Sequence, residues 1–540
     1  MAKRYRPVDR DQPFLLPPDM REWLPEGHLA WFVVDAVGVL DVSRFAARKT
    51  PAGSWAGRAA YDPAMLLALL VYGYATGVRS SRRIERACEQ DVAFRVICAQ
   101  DVPDHATIAR FRRQHFADGA AVESLFGQVL ALAAAAGLGR LGLIAVDGTK
   151  VAASASRDAN RTRERLRALA RQVLDEAEAV DAAEDELFGD ARGDELPAEL
   201  ADPVTRKDRI RAALAELEAE RKAAQEDKDA RAARYPARAA AARRAGQPPG
   251  PPPGALAVAV AQQNLAAARA RRAAQLAGLQ ARAAAGQPRR GRPAGIEDYC
   301  RVRQAAAKLE RARARAQAAE RRAAERQNNR RGPGPVRNIT DPHSRLMPVR
   351  GGGFIQGYNA QAMFSADGLC LATLVTGQTT DYASFEPMMG KAQAAQDLLR
   401  ARARGPLHRK RAKIGIMLAD AGYLSARNLA IPGPDRLIAI GKRRDLEQAT
   451  SDHPATPAAG GHGGQTAAAM ATRLATAQGK AAYRRRGPLA EGPFGDIKHN
   501  RGFRRFSLRG LRRVTGEWAF QNAVTNLMKI HATGWTPAAA

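Results

Sequence analysis

The chain has 540 residues and 45% of them are hydrophobic, which is enough apolar material for two or three folded domains. Its 85 Lys and Arg residues outnumber its 55 Asp and Glu residues, so the formal net charge is +30. A positive excess of this size predicts a polyanionic partner, and nucleic acid is the simplest one.

The first 125 residues predict a helical domain. Pro63 opens a helical pattern that Gly77 breaks, residues 80–88 open a second helix with Ser80 or Ser81 as its N-cap, and Asp104 is placed to cap a third. Short helices joined by brief turns are typical of a bundle that resembles a helix-turn-helix. In such a bundle the third helix presents three arginines to DNA: Arg110, Arg112 and Arg113. A solvated helix face would carry the same arginines, and the sequence does not decide between the two.

Neither a membrane span nor a disulfide framework is indicated. The longest apolar run, residues 64–75, is too short to cross a bilayer, and no apolar segment follows the basic residues of the N-terminus. The four cysteines include no CxxC pair, which argues against a zinc site. We therefore expect a soluble, cytoplasmic protein without a membrane partner.

The remaining ordered elements predict a sheet followed by helices. The predicted strands are short apolar runs bounded by turn residues, and they lie at 138–153, 354–368, 369–377, 414–424 and 436–444. The second and third of them form a predicted hairpin that turns at Asp367 and Gly368. Helical patterns follow at 467–478 and from about residue 491 onward.

Residues 155–335 differ from everything around them. Ala, Arg, Glu and Gln dominate this segment, and two stretches rich in Pro and Gly, 246–254 and 286–295, interrupt its helical runs. The apolar positions are mainly Ala and Leu, which predicts a thin helical bundle or a coiled coil. We expect an accessory insertion without a catalytic residue. It either pairs with a second subunit or holds DNA, or it is a solvated protrusion.

Two predicted strands end in an aspartate, in LIAVDG and IMLADAG. An Asp-Gly pair after a strand is more often a turn, but two strands of the same polarity would bring Asp147 and Asp420 to one edge of a sheet. Glu491 is a third candidate, because it lies in a segment of ten basic and two acidic residues, 483–513. Pro493 predicts a helix that begins near Glu491, with its face shared by Phe494, Ile497 and Lys498.

Three carboxylates among arginines suit a particular chemistry. Hard oxygen donors favour Mg²⁺ or Mn²⁺, and a pair of such ions can activate water and stabilise the leaving oxygen of a phosphodiester. The arginines around Glu491 would then bind the DNA phosphates.

These residues resemble a known family. Asp147 in AVDGTKV, Asp420 in LADAGY and Glu491 in YRRRGPLAEGPFGDIK are similar to the DDE triad of bacterial insertion-sequence transposases, most closely the group numbered eleven-eighty-two. Tyr483, Arg486, Glu491 and Lys498 resemble that family's Tyr, Arg, Glu, Lys signature, although four residues rather than three separate Arg486 from Glu491. Further similar stretches lie at 12–35, 61–85, 103–112, 338–348 and 354–361.

The resemblance implies an α/β, RNase H-like mixed-sheet catalytic core with an N-terminal helical domain and a long helical insertion. The implied domains are 1–125 (helical, DNA-binding), 138–154 plus 336–535 (catalytic core) and 155–335 (insertion). Asp147, Asp420 and Glu491 would hold two Mg²⁺ or Mn²⁺ ions for DNA cleavage at element ends and strand transfer. The DNA-binding residues would be Tyr483, Arg486, Lys498, Arg501, Arg504, Arg505, Arg509, Arg512 and Arg513, together with the three arginines of the third helix.

The implied partners are double-stranded DNA, as terminal inverted repeats and as target, and a second copy of the chain in a homodimer or larger synaptic complex. The compartment would be the bacterial cytoplasm, at the nucleoid. A nuclease of the same fold that cuts without joining, and a catalytically dead architectural DNA-binding protein, remain as alternatives. For four other residues we expect structural roles: loop capping by Asp341 and Asp381, and packing by Tyr483 and Trp518.

Overall fold

The structure is a computed structural model, and it describes residues 19–46, 60–168, 203–246, 252, 254–285, 293–328, 336–349, 352–441 and 464–537. The chain divides into two compact units. The first consists of Met1–Ala159 and Thr340–Ala540, and the second of Asn160–Ile339. The second unit overlaps the predicted insertion, 155–335.

Helices begin and end the first unit and fill most of the second. In chain order they are α1 (Leu29–Gly38), α2 (Pro63–Thr76), α3 (Ser81–Gln90), α4 (Val92–Ile97), α5 (His105–Ala117), α6 (Gly119–Ala135), α7 (Pro203–Arg244), α8 (Gly254–Ala284), α9 (Cys300–Asn328), α10 (Phe385–Arg402), α11 (Gly405–Arg411), α12 (Ala426–Ala430), α13 (Gly464–Ala475), α14 (Ala477–Arg484), α15 (Arg486–Gly495) and α16 (Leu511–His531). The predicted limits of α2 and α5 are confirmed. Gly77 ends α2 in a left-handed conformation, with φ of +83°, and the Asp104 carboxylate caps α5 by accepting from the Thr107 amide at 2.9 Å.

A mixed sheet lies between the helices of the first unit. The strands of the chain are β1 (Leu143–Ala152), β2 (Asn160–Thr162), β3 (Val336–Asn338), β4 (Arg345–Pro348), β5 (Phe354–Ser365), β6 (Cys370–Thr376), β7 (Ile416–Ala419) and β8 (Asp435–Ile438). The sheet order is β4-β5-β1-β7-β8, and β6 also pairs with β5. β1 is antiparallel to β5 and parallel to β7, and β7 is parallel to β8. β2 and β3 form a separate antiparallel ladder within the second unit.

The predicted first strand, 138–153, contains β1, but the interpretation of its Asp-Gly pair as the end of the strand is wrong. β1 continues through Asp147 and Gly148 to Ala152, so this Asp-Gly pair lies within a strand and forms no turn. The reason is the partner strand, because β5 pairs with β1 continuously from Ile144 to Ala152. By contrast, the predicted hairpin is confirmed: β5 and β6 are joined at Gly368, which has φ of +78°.

Alternating residues of β1 divide the core of the first unit into two layers. Ile144 and Val146 belong to a large cluster that includes buried residues of α1 to α6 and of α16. Leu143 and Ala145 belong to a smaller cluster on the other face, where residues of α13 and α15 cover the sheet. The N-terminal helices therefore share one core with the sheet and with α16.

The helix that carries Glu491 begins earlier than the sequence predicts. α15 starts at Arg486, so Pro493 is its eighth residue rather than a first-turn residue. A proline there cannot donate to the carbonyl four residues before it, and one turn of π-helix, Asp496–Asn500, follows directly. Phe494 and Ile497 are buried in the core, whereas Glu491 is exposed.

The described residues of the second unit form small apolar clusters. Leu265 of α8 packs with Val302 and Leu309 of α9, and Leu166 packs with two residues of α7, Ala213 and Leu217. Among all described residues, no single helix is long and apolar enough to cross a membrane, while one bent pair, α5 with α6, meets the criteria of length and composition jointly.

Candidate active site

Two aspartates lie side by side on parallel strands in the middle of the sheet. The ladder between β1 and β7 pairs Ala145 with Leu418, so Asp147 and Asp420 each stand two residues beyond this pair. Asp420 follows the last residue of β7 directly, and its Oδ1 accepts a hydrogen bond from the Gly422 amide at 2.8 Å. Both strands therefore lie in one sheet with the same direction, which is the condition under which the sequence brings the two aspartates to one edge.

The guanidinium group of Arg486 lies between the two carboxylates. Its Nη2 is 3.4 Å from Asp147 Oδ2 and 3.7 Å from Asp420 Oδ2. The arginine side chain is 9% exposed, the Asp147 side chain 16% and the Asp420 side chain 32%. A single positive charge thus faces two negative charges in a partly desolvated position, which leaves the pair with a net negative charge.

The pKa of Asp147 is raised to about 6. Burial is the main cause, because it disfavours the charged carboxylate; Arg486 opposes this effect, and the nearby charge of Asp420 adds to it. Asp147 therefore lies in an environment that would favour an additional cation. A perturbed carboxylate with a specific charged partner is typical of a functional site.

The sequence missed a third aspartate in this region. The Oδ1 of Asp381 accepts hydrogen bonds from Asn359 at 2.6 Å and Gln361 at 2.8 Å, and Lys150 Nζ lies 3.8 Å away. The expected role of Asp381 was loop capping, but its side chain makes no capping bond to the short helix that it precedes. The side chain is instead held by two polar residues of β5. Asn359 and Gln361 are two residues apart in a buried strand, and this spacing was the sequence signal that a charged group would contact the strand.

Gly148 gives these polar groups the room that they occupy. A Cβ at this position would lie 2.2 Å from Gln361 Nε2 and 2.9 Å from Asp381 Oδ1. Tyr423, three residues after Asp420, donates its hydroxyl to Gln361 Oε1, and Trp518 donates its indole N–H to the Gln361 carbonyl at 2.8 Å. Gln361 thus connects the segments that carry Asp147, Asp420 and Asp381. Trp518 is 1% exposed, which confirms its predicted place in the core.

Glu491 is exposed and lies on the helical segment that runs along β1. At one end of this segment Arg486 meets Asp147, and at the other Lys498 Nζ donates to the carbonyl oxygen of Lys150 at 3.0 Å. Within the ranges that the structure describes, no three His, Cys, Asp or Glu side chains are close enough together to hold a metal ion. The structure thus brings Asp147 and Asp420 together and leaves the Glu491 side chain outside that pair.

The residues present suit one hard divalent cation. The carboxylates of Asp147 and Asp420 both face the positive charge of Arg486, so a cation is already accommodated between them. Mg²⁺ is commonly held in this way, by one or two carboxylates plus substrate oxygens. The orphaned Nε atom of Arg486, which is buried without a hydrogen-bond partner, shows that this arginine is incompletely satisfied where it lies.

The predicted DNA-binding residues separate by exposure. Arg112 is buried and donates to the Arg79 carbonyl at 2.7 Å, and Arg501 is buried in an ion pair with Asp496 at 2.6 Å. The other arginines of the prediction, Arg486 aside, are exposed: Arg110, Arg113, Arg504, Arg505, Arg509, Arg512 and Arg513.

Two further residues near these segments have structural partners. Tyr483 is partly buried, and its hydroxyl lies 3.4 Å from the carbonyl oxygen of Ala419, next to Asp420. Burial raises its pKa to about 12. Asp341 is buried, and its Oδ1 accepts from the Tyr358 hydroxyl at 2.7 Å and from the Gly510 amide at 3.2 Å.

Comparison with known families gives two matches. Residues 18–114 match the family described as Transposase domain (DUF772), and residues 462–531 match the family described as Transposase DDE domain. The first match extends over α1 to most of α5, and the second includes Arg486 and Glu491. No curated protein and no solved structure matches the chain.

Proposed function

We propose, from the premise that this chain is a DDE transposase of insertion sequences, that it cleaves DNA at the ends of its element and transfers the freed strand into target DNA. The observation that carries the proposal is the Asp147 and Asp420 pair, which lies on adjacent parallel strands around one buried arginine. An RNase H-like core is part of the proposal. It is supported by the sheet topology. The antiparallel hairpin of β5 and β6 lies on one side of β1, and the parallel strands β7 and β8 lie on the other.

In this proposal Asp147 and Asp420 hold a divalent cation, Mg²⁺ or Mn²⁺, and Glu491 completes the site for two ions when DNA is bound. The cation would supply charge for the attacking and leaving oxygens of the phosphodiester. The family generally uses divalent metals. To form this metal site, Glu491 would have to move closer to the two aspartates, and the guanidinium group of Arg486 would have to move out from between them.

The chain's own residues provide orientation and charge. Gln361 and Asp381 fix the strand and the loop beside the two aspartates, so that both carboxylates keep one geometry. Arg486 would contact a phosphate oxygen in the DNA complex. Lys498, in the π-turn after α15, and Tyr483, near the end of α14, would contact the phosphate beside it. The exposed arginines of the C-terminal segment would hold the flanking backbone: Arg504, Arg505, Arg509, Arg512 and Arg513.

Cleavage of two element ends together requires two active sites, so the proposal includes a homodimer or a larger synaptic complex with double-stranded DNA. The proposed compartment is the cytoplasm, where that DNA is found.

A cleavage assay tests the proposal. Asp147→Asn, Asp420→Asn and Glu491→Gln each keep the side-chain volume and remove a charge, so each is expected to lower Mg²⁺-dependent cutting of a labelled terminal repeat at least about 100-fold. DNA binding should remain close to that of the wild type, since it depends on the arginines. Glu89→Gln, the same kind of change at an exposed position of α3, is the matched control and should cut normally.

The same assay separates the proposed activity from simpler ones. Joined products together with cut ends support transposition, cut ends alone would reduce the proposal to a nuclease, and binding without any cutting would contradict it. Full activity of one variant would remove that carboxylate from the site.

A further inference from the structure

A basic groove lies at the edge of the sheet where β1 and β7 begin. Its volume is about 740 Å³, and Gly142 and Leu143 of β1 form part of its wall. Five cationic side chains line it, and no carboxylate does: Arg140, Lys410, Arg411, Lys413 and Arg485. We call these five residues the basic groove.

A neighbouring depression continues the same surface. Its volume is about 430 Å³, it shares Lys410 and Lys413 with the basic groove, and it adds Arg400 and Arg409. Together the two depressions bring seven cations onto one face of the first unit. The positive charge is therefore extended along the surface rather than concentrated in one enclosed pocket.

No described carboxylate forms an ion pair with the basic groove. Between Asp397 and Asp420 the chain has seven Lys or Arg residues and no acidic residue. All five side chains of the basic groove are exposed, and none forms an ion pair within the described ranges. Cations that repel one another without a counter-charge destabilise the folded state unless a polyanion binds them.

The scaffold beneath the groove is firm. Ala412 and Ile414 are buried on either side of Lys413, and the amide of Leu141 donates to the Arg411 carbonyl at 2.9 Å. Because the loop is fixed to the start of β1 and β7, the cations keep their positions relative to the sheet. The backbone that carries the cations is thus fixed before any ligand binds.

We propose that the basic groove binds the phosphodiester backbone of duplex DNA outside the segment that is cut. This inference rests on the proposed function and adds a second DNA surface to it. A small anion would be satisfied by two or three cations in an enclosed site, whereas seven cations along two open depressions suit an extended polyanion such as the backbone of a duplex. Lysine and arginine on an open surface contact phosphates, so the contacts would be independent of sequence.

Two consecutive arginines link the groove to the aspartates. Arg485 lines the groove, while Arg486, the next residue, contacts Asp147 and Asp420. A duplex that lies in the groove would therefore contact the residue directly before α15, while the next residue contacts the two aspartates. The groove would fix the distance between a bound flank and the cut.

The test compares two double variants from the same basic run. Lys410→Ala with Lys413→Ala removes groove cations, and Arg402→Ala with Arg404→Ala removes two exposed cations that line neither depression. Binding of a fluorescent duplex of unrelated sequence is measured by anisotropy from about 50 to about 200 mM salt. For the groove variant, the log–log salt slope should fall by roughly 0.9 for each phosphate that is no longer neutralised, or by roughly 1.8 in total. The control variant should keep the wild-type slope.

An unchanged slope for the groove variant would overturn the inference, as would an equal decrease in the control variant. A groove variant that loses affinity for phosphatidylglycerol vesicles while it binds DNA normally would also overturn it, because the surface would then serve a membrane. All four substituted side chains are exposed, and circular dichroism melting should show that the variants fold as the wild type does.

Cleavage of a short labelled end keeps this inference separate from the proposed function. If Asp147→Asn abolishes Mg²⁺-dependent cutting while the groove variant binds all DNA like the wild type, the groove inference fails and the proposed function stands. If the groove variant binds long duplexes weakly but cuts a saturated short end at the wild-type rate, the inference is supported. If the wild type binds DNA through the groove and never cuts, the proposed function fails alone.

Discussion

Asp147→Asn is expected to stabilise the metal-free protein while it removes activity. In the folded protein the carboxylate of Asp147 is largely buried, and its pKa rises from 3.8 to about 6. At 1.36 kcal/mol for each tenfold change in proton affinity, this difference corresponds to about 3 kcal/mol of destabilisation at neutral pH. Asparagine has nearly the same shape and no charge, so it avoids this cost.

The sign of the pH dependence follows from proton binding. Between about pH 4 and pH 6 the folded state holds a proton on Asp147 that the unfolded chain has already released, so this group lowers the free energy of unfolding as the pH rises. The advantage of Asp147→Asn over the wild type should be about 3 kcal/mol at pH 7, about half of that at pH 5, and small at pH 4.

Urea unfolding in EDTA, followed by tryptophan fluorescence at these three pH values, measures the difference directly. Asp397→Asn, an exposed substitution on α10, is the control and should show no comparable gain. Mg²⁺ should then stabilise the wild type, by about 2.7 kcal/mol at a concentration 100 times its dissociation constant, and leave Asp147→Asn unchanged. An Asp147→Asn protein that is less stable than the wild type at pH 7, or a difference that does not vary with pH, would refute the reasoning. It would mean that pairing with Arg486 outweighs burial.

Four further expectations follow from particular contacts. Gly148→Ala should force Gln361 and Asp381 apart, destabilising the protein by about 1–3 kcal/mol and lowering the cleavage rate, whereas Gly142→Ala, which meets nothing within 4 Å, should be neutral in urea unfolding and in the cleavage assay. Glu517→Gln should cost about 2–4 kcal/mol in urea unfolding, because the buried carboxylate accepts from Tyr74, Ser507 and Leu508; Tyr74→Phe, which removes one of these bonds, should cost about 1 kcal/mol. Arg504→Ala with Arg505→Ala should weaken binding to every DNA sequence alike and lower the salt slope by roughly 0.9 for each phosphate that these arginines neutralise, and an unchanged slope would mean that these side chains do not reach phosphate. Replacement of residues 160–330 by a short Gly-Ser linker should leave single-end nicking intact and impair paired-end joining; loss of nicking in a folded protein would show that the insertion contains a required group.

The sequence predicted the elements around the site better than it predicted the contacts within it. Apolar runs that lead to Asp147 and Asp420 are local signals, whereas the parallel pairing of their strands was a condition that only the fold could meet. The place of Arg486 between them could not be predicted, because it depends on packing between segments that are 339 residues apart in the chain. The start of α15 was wrong for the same kind of reason. Packing of Leu489 and Ala490 against the sheet stabilises a helix ahead of Pro493, and local proline rules do not include that packing.

Asp381 shows a different limit. Its own neighbourhood in the sequence gives only a turn, and its partners Asn359 and Gln361 lie on β5, 22 and 20 residues earlier. Polar residues at alternate positions of a buried strand were a usable sign that something charged would meet that strand. The identity of the partner required the fold.

The packing of α16 has a consequence for how the protein is made. Phe520 of α16 contacts Tyr74 of α2 and Phe116 of α5, with ring centroids 5.1 and 4.8 Å apart, and a Cβ at Gly516 would collide with the Phe116 carbonyl. The N-terminal helices therefore leave the ribosome about 400 residues before the helix that completes their core. A nascent chain that stops before α16 has exposed apolar helices and no finished core. Chains truncated before α16 are therefore expected to be unstable, which limits the accumulation of incomplete copies of the protein.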